Sequence, residues 1–302
     1  MKWTQLKRNY RSNRLLYWLL APTILYVIVF HYIPMGGLVM AFEKYSITRG
    51  IFGSKWIGLD NFIKFVKGLF FWRTMRNTLV LSLLDPLVAF PAPILLALML
   101  NEVRRPRFKK LVQTCSYMPH FISMIVVVGI VNEFTSADGV IASVVRALGG
   151  TPRSYIAMPQ FFRAIFIVSN VWQTIGFNSI IYLAALSGVN EELYEAARMD
   201  GAGRIRQLIH VTLPGIMSTV IMMLIMRCGQ IMNVTFEKVL LMYSTSTYET
   251  ADIVMTYIYR MGVVEQNYGY STAVGLFNSL LGLALIVGAN SFSRKVTEIS
   301  IY

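Results

Sequence analysis

Apolar residues come in six long blocks separated by short polar and charged segments. A helix that crosses a bilayer needs about 20 mostly apolar residues. Windows near residues 15–40, 77–100, 111–131, 161–186, 213–232 and 272–292 meet that demand. The blocks do not alternate apolar and polar positions with period two, so lipid-facing β-strands are disfavoured. The pattern predicts an all-α integral membrane protein with six transmembrane helices. Ahead of the first block stand Lys2, Lys7, Arg8, Arg11 and Arg14, an arrangement that imitates a signal peptide. The apolar run that follows, to Phe42, is too long for a signal sequence, and no small-residue cleavage site closes it. It is expected to remain as the first span.

Several blocks carry breaks. Asp85-Pro86, Pro91 and Pro93 interrupt the second, Pro119 falls in the third, and Pro214 stands where the fifth can begin. Proline in a helix interior removes a backbone donor. In a bilayer that loss is tolerated only where neighbouring protein or a cavity takes up the freed groups. The spans are therefore expected to pack as a bundle around a space. No internal repeat stands out. The organisation reads as a basic N-terminus over 1–14, a transmembrane domain over 15–293 and a tail over 294–302.

Composition sharpens this picture. Of 302 residues, 55% are hydrophobic and only 14% charged, and 28 Lys and Arg outnumber 15 Asp and Glu to give a net charge of +13. In a soluble protein that excess would suggest nucleic acid. Here long apolar stretches separate the charges, which places them at a membrane surface, with lipid and not nucleic acid as the partner. With the N-terminus inside, inner segments hold fifteen basic residues and outer segments nine, and the dense cluster Arg104, Arg105, Arg107, Lys109 and Lys110 is internal. The positive-inside rule thus puts both termini in the cytoplasm. Cys115 and Cys228 lie far apart within apolar stretches and read as small buried residues. His31, His120 and His210 are scattered, and no HExxH is present, so no metal or catalytic site is expected.

One polar segment, between the fourth and fifth blocks, has its own pattern. In 190–203, Glu191, Glu192, Tyr194, Glu195 and Arg198 suit a short amphipathic helix, with Glu191 and Glu195 on one face. Ala196 and Ala197 favour helix and allow close approach by another surface. Gly201, after Asp200, can end the helix in a left-handed conformation. A second helical stretch is expected over 202–210. Taken alone, this is a solvated loop with a helical turn.

Its spacing is more specific. Glu195-Ala196-Ala197, three residues, Gly201, nine residues and Val211-Thr212-Leu213-Pro214 resembles the EAA loop of bacterial ABC importer permeases, with Val211 where that pattern has Ile. The stretch from Trp56 through Gly58-Leu59-Asp60-Asn61-Phe62 is similar to one that follows the first span in MalF-type sugar permeases. Arg76-Asn77-Thr78-Leu79 looks like the start of their next span. Trp172-Gln173, Gly176-Phe177 and 181–186 resemble the span before their EAA loop. The tail from Asn290 to Tyr302 resembles LplB-type polysaccharide permeases.

The resemblance implies a type I ABC importer permease fold with a cytoplasmic coupling loop near 188–212. In that reading Glu191, Glu192, Tyr194, Glu195, Ala196, Ala197, Arg198, Asp200 and Gly201 dock on a partner ATPase, with Glu195 pairing to a basic residue there. The chain has no G-x-x-x-x-G-K-[ST] phosphate loop. Two partner ATPases would bind ATP and Mg, leaving this chain a transporter subunit with no cofactor of its own. A second homologous permease and an extracellular solute-binding lipoprotein complete the implied assembly, with oligosaccharide, neutral or acidic, as cargo.

Polar residues in spans mark candidate pathway positions. Aromatic faces with amide and charged groups suit sugars. The candidates are Trp172, Gln173, Asn178, Tyr182, Arg227, Gln230, Asn233 and Asn278. Arg227 needs an anion, either an internal carboxylate or a uronic acid on the cargo, and Asp85 is expected to be paired within the bundle. The same residues could instead join helices by hydrogen bonds. Amino acids, peptides or other solutes are alternative cargoes, because the EAA loop is shared among importers. A membrane enzyme on lipid-linked saccharides would need clustered acids, bases or metal ligands, and a proton-coupled carrier would need more intramembrane acids than Asp85.

Overall fold

The computed structural model describes residues 13–228 and 236–297. It divides into two units, Met1–Gly68 with Ile258–Phe277, and Leu69–Tyr257 with Asn278–Tyr302. Five stretches among the described residues are long and apolar enough to cross a membrane: Arg14–Phe42, Phe71–Glu102, Met124–Ala147, Pro159–Ser187 and Arg204–Arg227. The sixth expected block lies in a 30-residue helix, Tyr268–Thr297.

In the first unit, α1 (Arg14–Val27) continues through a π-turn at Ile28–Tyr32 and a tighter helix at Gly36–Phe42. None of the α1 side chains is buried, as suits a helix whose apolar surface belongs in lipid. A short antiparallel pair follows, β1 (Glu43–Lys44) with β2 (Lys55–Trp56). Asn61, at the start of α2 (Asp60–Val66), donates from Nδ2 to the carbonyls of Ala41 (3.0 Å) and Glu43 (3.1 Å). Phe42 stacks on Trp56 at 5.6 Å and packs against Phe62 at 5.4 Å. The Trp56–Phe62 stretch recognised in the sequence is therefore a structural clasp that satisfies the end of the first span.

In the second unit, the second span is two helices, α3 (Phe71–Ala89) and α4 (Pro91–Glu102), meeting at Phe90. After α5 (Pro106–Tyr117) the chain tightens at Met118–Phe121 and restarts as α6 (Met124–Thr135), followed by α7 (Val140–Ala147). The single third span expected over 111–131 is thus replaced by two helices broken at Pro119. The break is held against α8 (Pro159–Ser187), where His120 stacks on Phe177 with ring centroids 3.9 Å apart. There Gly176 passes the Ser116 carbonyl so closely that a Cβ would collide with it. Cys115, expected to be buried, is exposed.

The central element is α8, which packs against α3, α4, α5 and two later helices, α11 (Leu213–Cys228) and α13 (Tyr248–Ala251). Between α8 and α11 lie α9 (Glu191–Met199), α10 (Arg204–Gln207) and a π-turn, Leu208–Thr212. Helical structure here begins at Arg204, not at the expected Ala202, because extended Gly203 precedes it. The π-turn closes with Leu213 donating to the Leu208 carbonyl, a register that absorbs the donor missing at Pro214.

The stretch before Tyr268 was read as an outer loop, yet it carries α12 (Phe236–Met242), α13 and α14 (Val254–Tyr259) before the long α15 (Tyr268–Thr297). Each is too short to register as a span. Val239, Met242, Ala251 and Ile253 nevertheless join Leu81, Val128, Val131, Phe162 and Phe166 in one buried core. Asn77 ties this region to α3. Its Nδ2 donates to the Glu249 and Asp252 carbonyls at 3.0 and 3.1 Å, and its Oδ1 accepts from Arg163 at 2.9 Å. Thr78 accepts from the Val254 amide at 2.9 Å.

Gly176→Ala would force backbone apart at the α5–α8 crossing and should destabilise the protein by about 2 kcal/mol, within the usual range for overpacking. Thermal unfolding of the detergent-solubilised protein should show a lower midpoint.

Candidate functional site

Two places bring sequence-predicted residues together. The first is α9. Asn190 caps it, accepting from the Glu192 amide at 3.0 Å, and its Nδ2 donates to the Glu192 carboxylate at 3.1 Å. Glu192 thus closes the helix start. At the other end the Ala202 amide donates to Ala197 O and the Gly201 amide to Arg198 O, with Gly201 at φ +73°. This is a Schellman closure, and the left-handed position explains the glycine. Glu191, Glu195, Ala196, Arg198 and Asp200 are exposed, whereas Tyr194 and Ala197 are half-buried. The Tyr194 hydroxyl donates to Thr212 Oγ1 at 3.0 Å, joining α9 to the π-turn that leads into α11. Gly215 lies close under Val189, and Ile216, Leu186 and Tyr182 are buried in the cluster beneath this joint.

The second place is a cavity of about 180 Å³ lined by Ala89, Phe90, Pro93, Asn178, Tyr182, Met223, Met226 and Arg227. It opens beside the α3–α4 break. Three of the eight predicted pathway residues, Asn178, Tyr182 and Arg227, meet there. Arg227 pairs with Asp85 at 2.5 Å, and the other Asp85 oxygen accepts from Asn170 Nδ2 at 2.6 Å. Of the two anions considered for Arg227, the internal one is its partner here. The guanidinium remains 35% exposed while Asp85 is 10% exposed, so the cation faces the cavity and the carboxylate lies behind it.

The remaining predictions separate. Trp172 lines a different, almost wholly apolar cavity of about 520 Å³ with Ile130, Phe134, Ile141 and Val168. It does not line the smaller cavity that holds Arg227. Gln173 is buried in the bundle, and Asn278 is buried with Nδ2 3.9 Å from Met255 Sδ. Gln230 and Asn233 lie outside the described residues. Sequence reading missed Phe90, Met223 and Met226, which look like ordinary apolar span residues. It also missed Lys238, which falls between two predicted spans and is fully buried.

Comparison with known proteins gives this architecture a family. A model described as binding-protein-dependent transport system inner membrane component matches residues 89–298. The chain belongs to that family. Protein LplB of Bacillus subtilis is 45% identical over 95% of this chain and 91% of its own length. YteP of the same organism, a polygalacturonan/rhamnogalacturonan transport system permease protein, is 42% identical over 96% of this chain and 91% of its own. A crystal structure of a bacterial ABC transporter involved in the import of the acidic polysaccharide alginate contains a chain with TM-score 0.90 and 42% identity, covering 97% of this chain and 99% of that one. The permease is thus a multi-pass subunit of an ABC importer, not an enzyme, with the type I fold read from its EAA loop.

An ion pair in a low-dielectric bundle loses most when one partner is removed. Asp85→Asn or Arg227→Gln should each cost the permease about 2 kcal/mol, less than for a fully buried pair because Arg227 still reaches the cavity. The double variant should recover only part of that loss, because Asp85 also accepts from Asn170, and a thermal-unfolding double-mutant cycle would measure it.

Proposed function

We propose that the permease carries acidic oligosaccharides into the bacterial cell and that Arg227 reads their carboxylates. The observation that carries this reading is the cavity itself, which combines a cation with Asn178, the Tyr182 and Phe90 rings and flexible Met223 and Met226. Amides and aromatic faces suit sugar hydroxyls and ring faces, and a guanidinium suits a carboxylate through paired hydrogen bonds. The acidic polymers named for YteP and for the alginate transporter point the same way. A neutral cargo is the second reading, favoured by Asp85, which already offsets the Arg227 charge.

In this reading α9 is a coupling helix on the cytoplasmic side, both termini are cytoplasmic, and Glu195 pairs with a basic residue of an ATPase. Exposed Leu193, Met199, Ile205 and Ile209 lie in the same segment as Glu195. Apolar side chains gathered beside charge on a loop suit a protein partner. The segment is also built to transmit force. Tyr194 joins it to the foot of α11, and α11 spans 16 residues, about 24 Å, from that joint to the turn that carries Arg227. ATP and Mg would sit in two partner ATPases. A second permease would complete the pathway, and an extracellular binding protein would deliver cargo. Movement of α9 would then tilt α11 and change access to the cavity, a rigid element biasing a two-state bundle.

Two outcomes test this. Arg227→Ala should reduce uptake of an oligouronide at least about tenfold more than uptake of its carboxyl-reduced counterpart, the value of roughly one charge-assisted bond. Equal losses would favour the neutral reading. Glu195→Arg should abolish import and cargo-stimulated ATP hydrolysis while the permease still reaches the membrane, as immunoblotting of membranes would show.

A further inference from the structure

Asp85 has Arg227 as its partner, on the cavity side. A second cation, Lys238 of α12, has a fully buried side chain and an Nζ with no hydrogen-bond partner among the described residues. Lys238 Nζ stands 5.6 Å from the centre of the Phe166 ring. Phe166 and Asn170 are one turn apart on the same face of α8, and Asn170 holds Asp85. This chain of contacts brings Lys238 into the neighbourhood of Asp85. Of the other buried polar atoms on α3 and α8 that lack partners among the described residues, two lie within a turn of this cluster: Ser82 Oγ, one turn before Asp85 on α3, and Gln173 Oε1, one turn after Asn170 on α8.

Two cations and one carboxylate leave the cluster one positive charge in excess. Uncompensated charge inside a bilayer is costly and marks function. Orphaned buried donors and acceptors are costly as well. Both observations are explained if the cluster has a second arrangement that uses the idle groups and receives an anion from outside.

We propose that Asp85 is a movable internal counter-ion that stands in for the cargo carboxylate while the cavity is empty. A carboxylate entering the cavity takes Arg227, and Asp85 swings to Lys238, with the Ser82 hydroxyl as an added donor. The charge brought by the cargo then balances the cluster, and Lys238 Nζ and Ser82 Oγ gain a partner. Lys238 therefore acts through Asp85 and is a positioning residue for carboxylate selectivity. Arg227 is kept neutralised between transport events, so the empty cavity does not hold stray anions tightly. This rests on the reading of Arg227 as the carboxylate-binding cation.

The test is equilibrium binding to the complete transporter in nanodiscs, without its binding protein, of a short oligouronide and its carboxyl-reduced counterpart. Lys238→Gln leaves Asp85 only Arg227 to pair with, and the oligouronide-to-neutral affinity ratio should fall at least about fivefold. Asp85→Asn removes the competitor, and the ratio should rise by a similar factor. Where Asp85→Asn fails to assemble, the Lys238→Gln result decides. An unchanged ratio in Lys238→Gln, with Arg227→Gln still selective against the oligouronide, overturns the switch and leaves the acidic-cargo reading standing. Equal loss of both ligands in Arg227→Gln overturns that reading and the switch with it.

Discussion

A backbone amide or carbonyl inside a bilayer has no water to bond, and this constraint governs where the permease can bend. Four breaks among the described residues are met by a group that replaces the missing bond or covers the gap. Asn61 closes the end of the first span by reaching two carbonyls, and Asn77 does the same for the segment around Asp252. The break at Pro119 is covered by the Gly176–Phe177 face of α8. The proline at the foot of α11 is taken up by a π-turn. These breaks also carry the machinery. The cavity opens where α3 gives way to α4, and the Tyr194–Thr212 joint sits on the π-turn. Irregular backbone is thus kept where a pathway or a joint needs it.

The same low-dielectric setting makes charge sparse and consequential. Asp85 and Arg227 pair where α3 and α11 pack on α8, and Lys238 of α12 lies over Phe166 of the same helix, while most of the basic excess lies in polar segments. Because α11 carries Arg227 near one end and follows directly from the Thr212 joint at the other, one rigid element relates the proposed ATPase contact to the proposed cargo contact. Tyr182 belongs both to the cavity wall and to the apolar cluster beneath the joint, which gives a second packed connection between them.

Much of this was legible in the sequence because the signals were long or closely spaced. The block pattern located the spans, and the Glu195–Pro214 spacing located α9, its glycine end and the foot of α11. Asn178, Tyr182 and Arg227 were readable as polar groups in apolar spans. What was hidden had short range or none. Helices such as α12 and α13 have too few residues to show a periodicity, so Lys238 read as a loop cation. The third span read as one rod because composition does not reveal how Pro119 is accommodated. Residue type alone groups Trp172 with Asn178 and Tyr182, and only packing shows that it lines a different cavity. The pairing of Asp85 with Arg227 joins residues 142 positions apart, and only the fold brings them together.

The most direct measurement is crosslinking. Single cysteines at each position of 191–201, in a permease with Cys115 and Cys228 replaced, would be paired with cysteines lining the cleft of the partner ATPase in the reconstituted importer. The expected result is a disulfide at position 195 that stops import and is reversed by reductant. Absence of any crosslink to the ATPase across 191–201, or labelling of position 195 by an impermeant thiol reagent applied only from outside the cell, would contradict it.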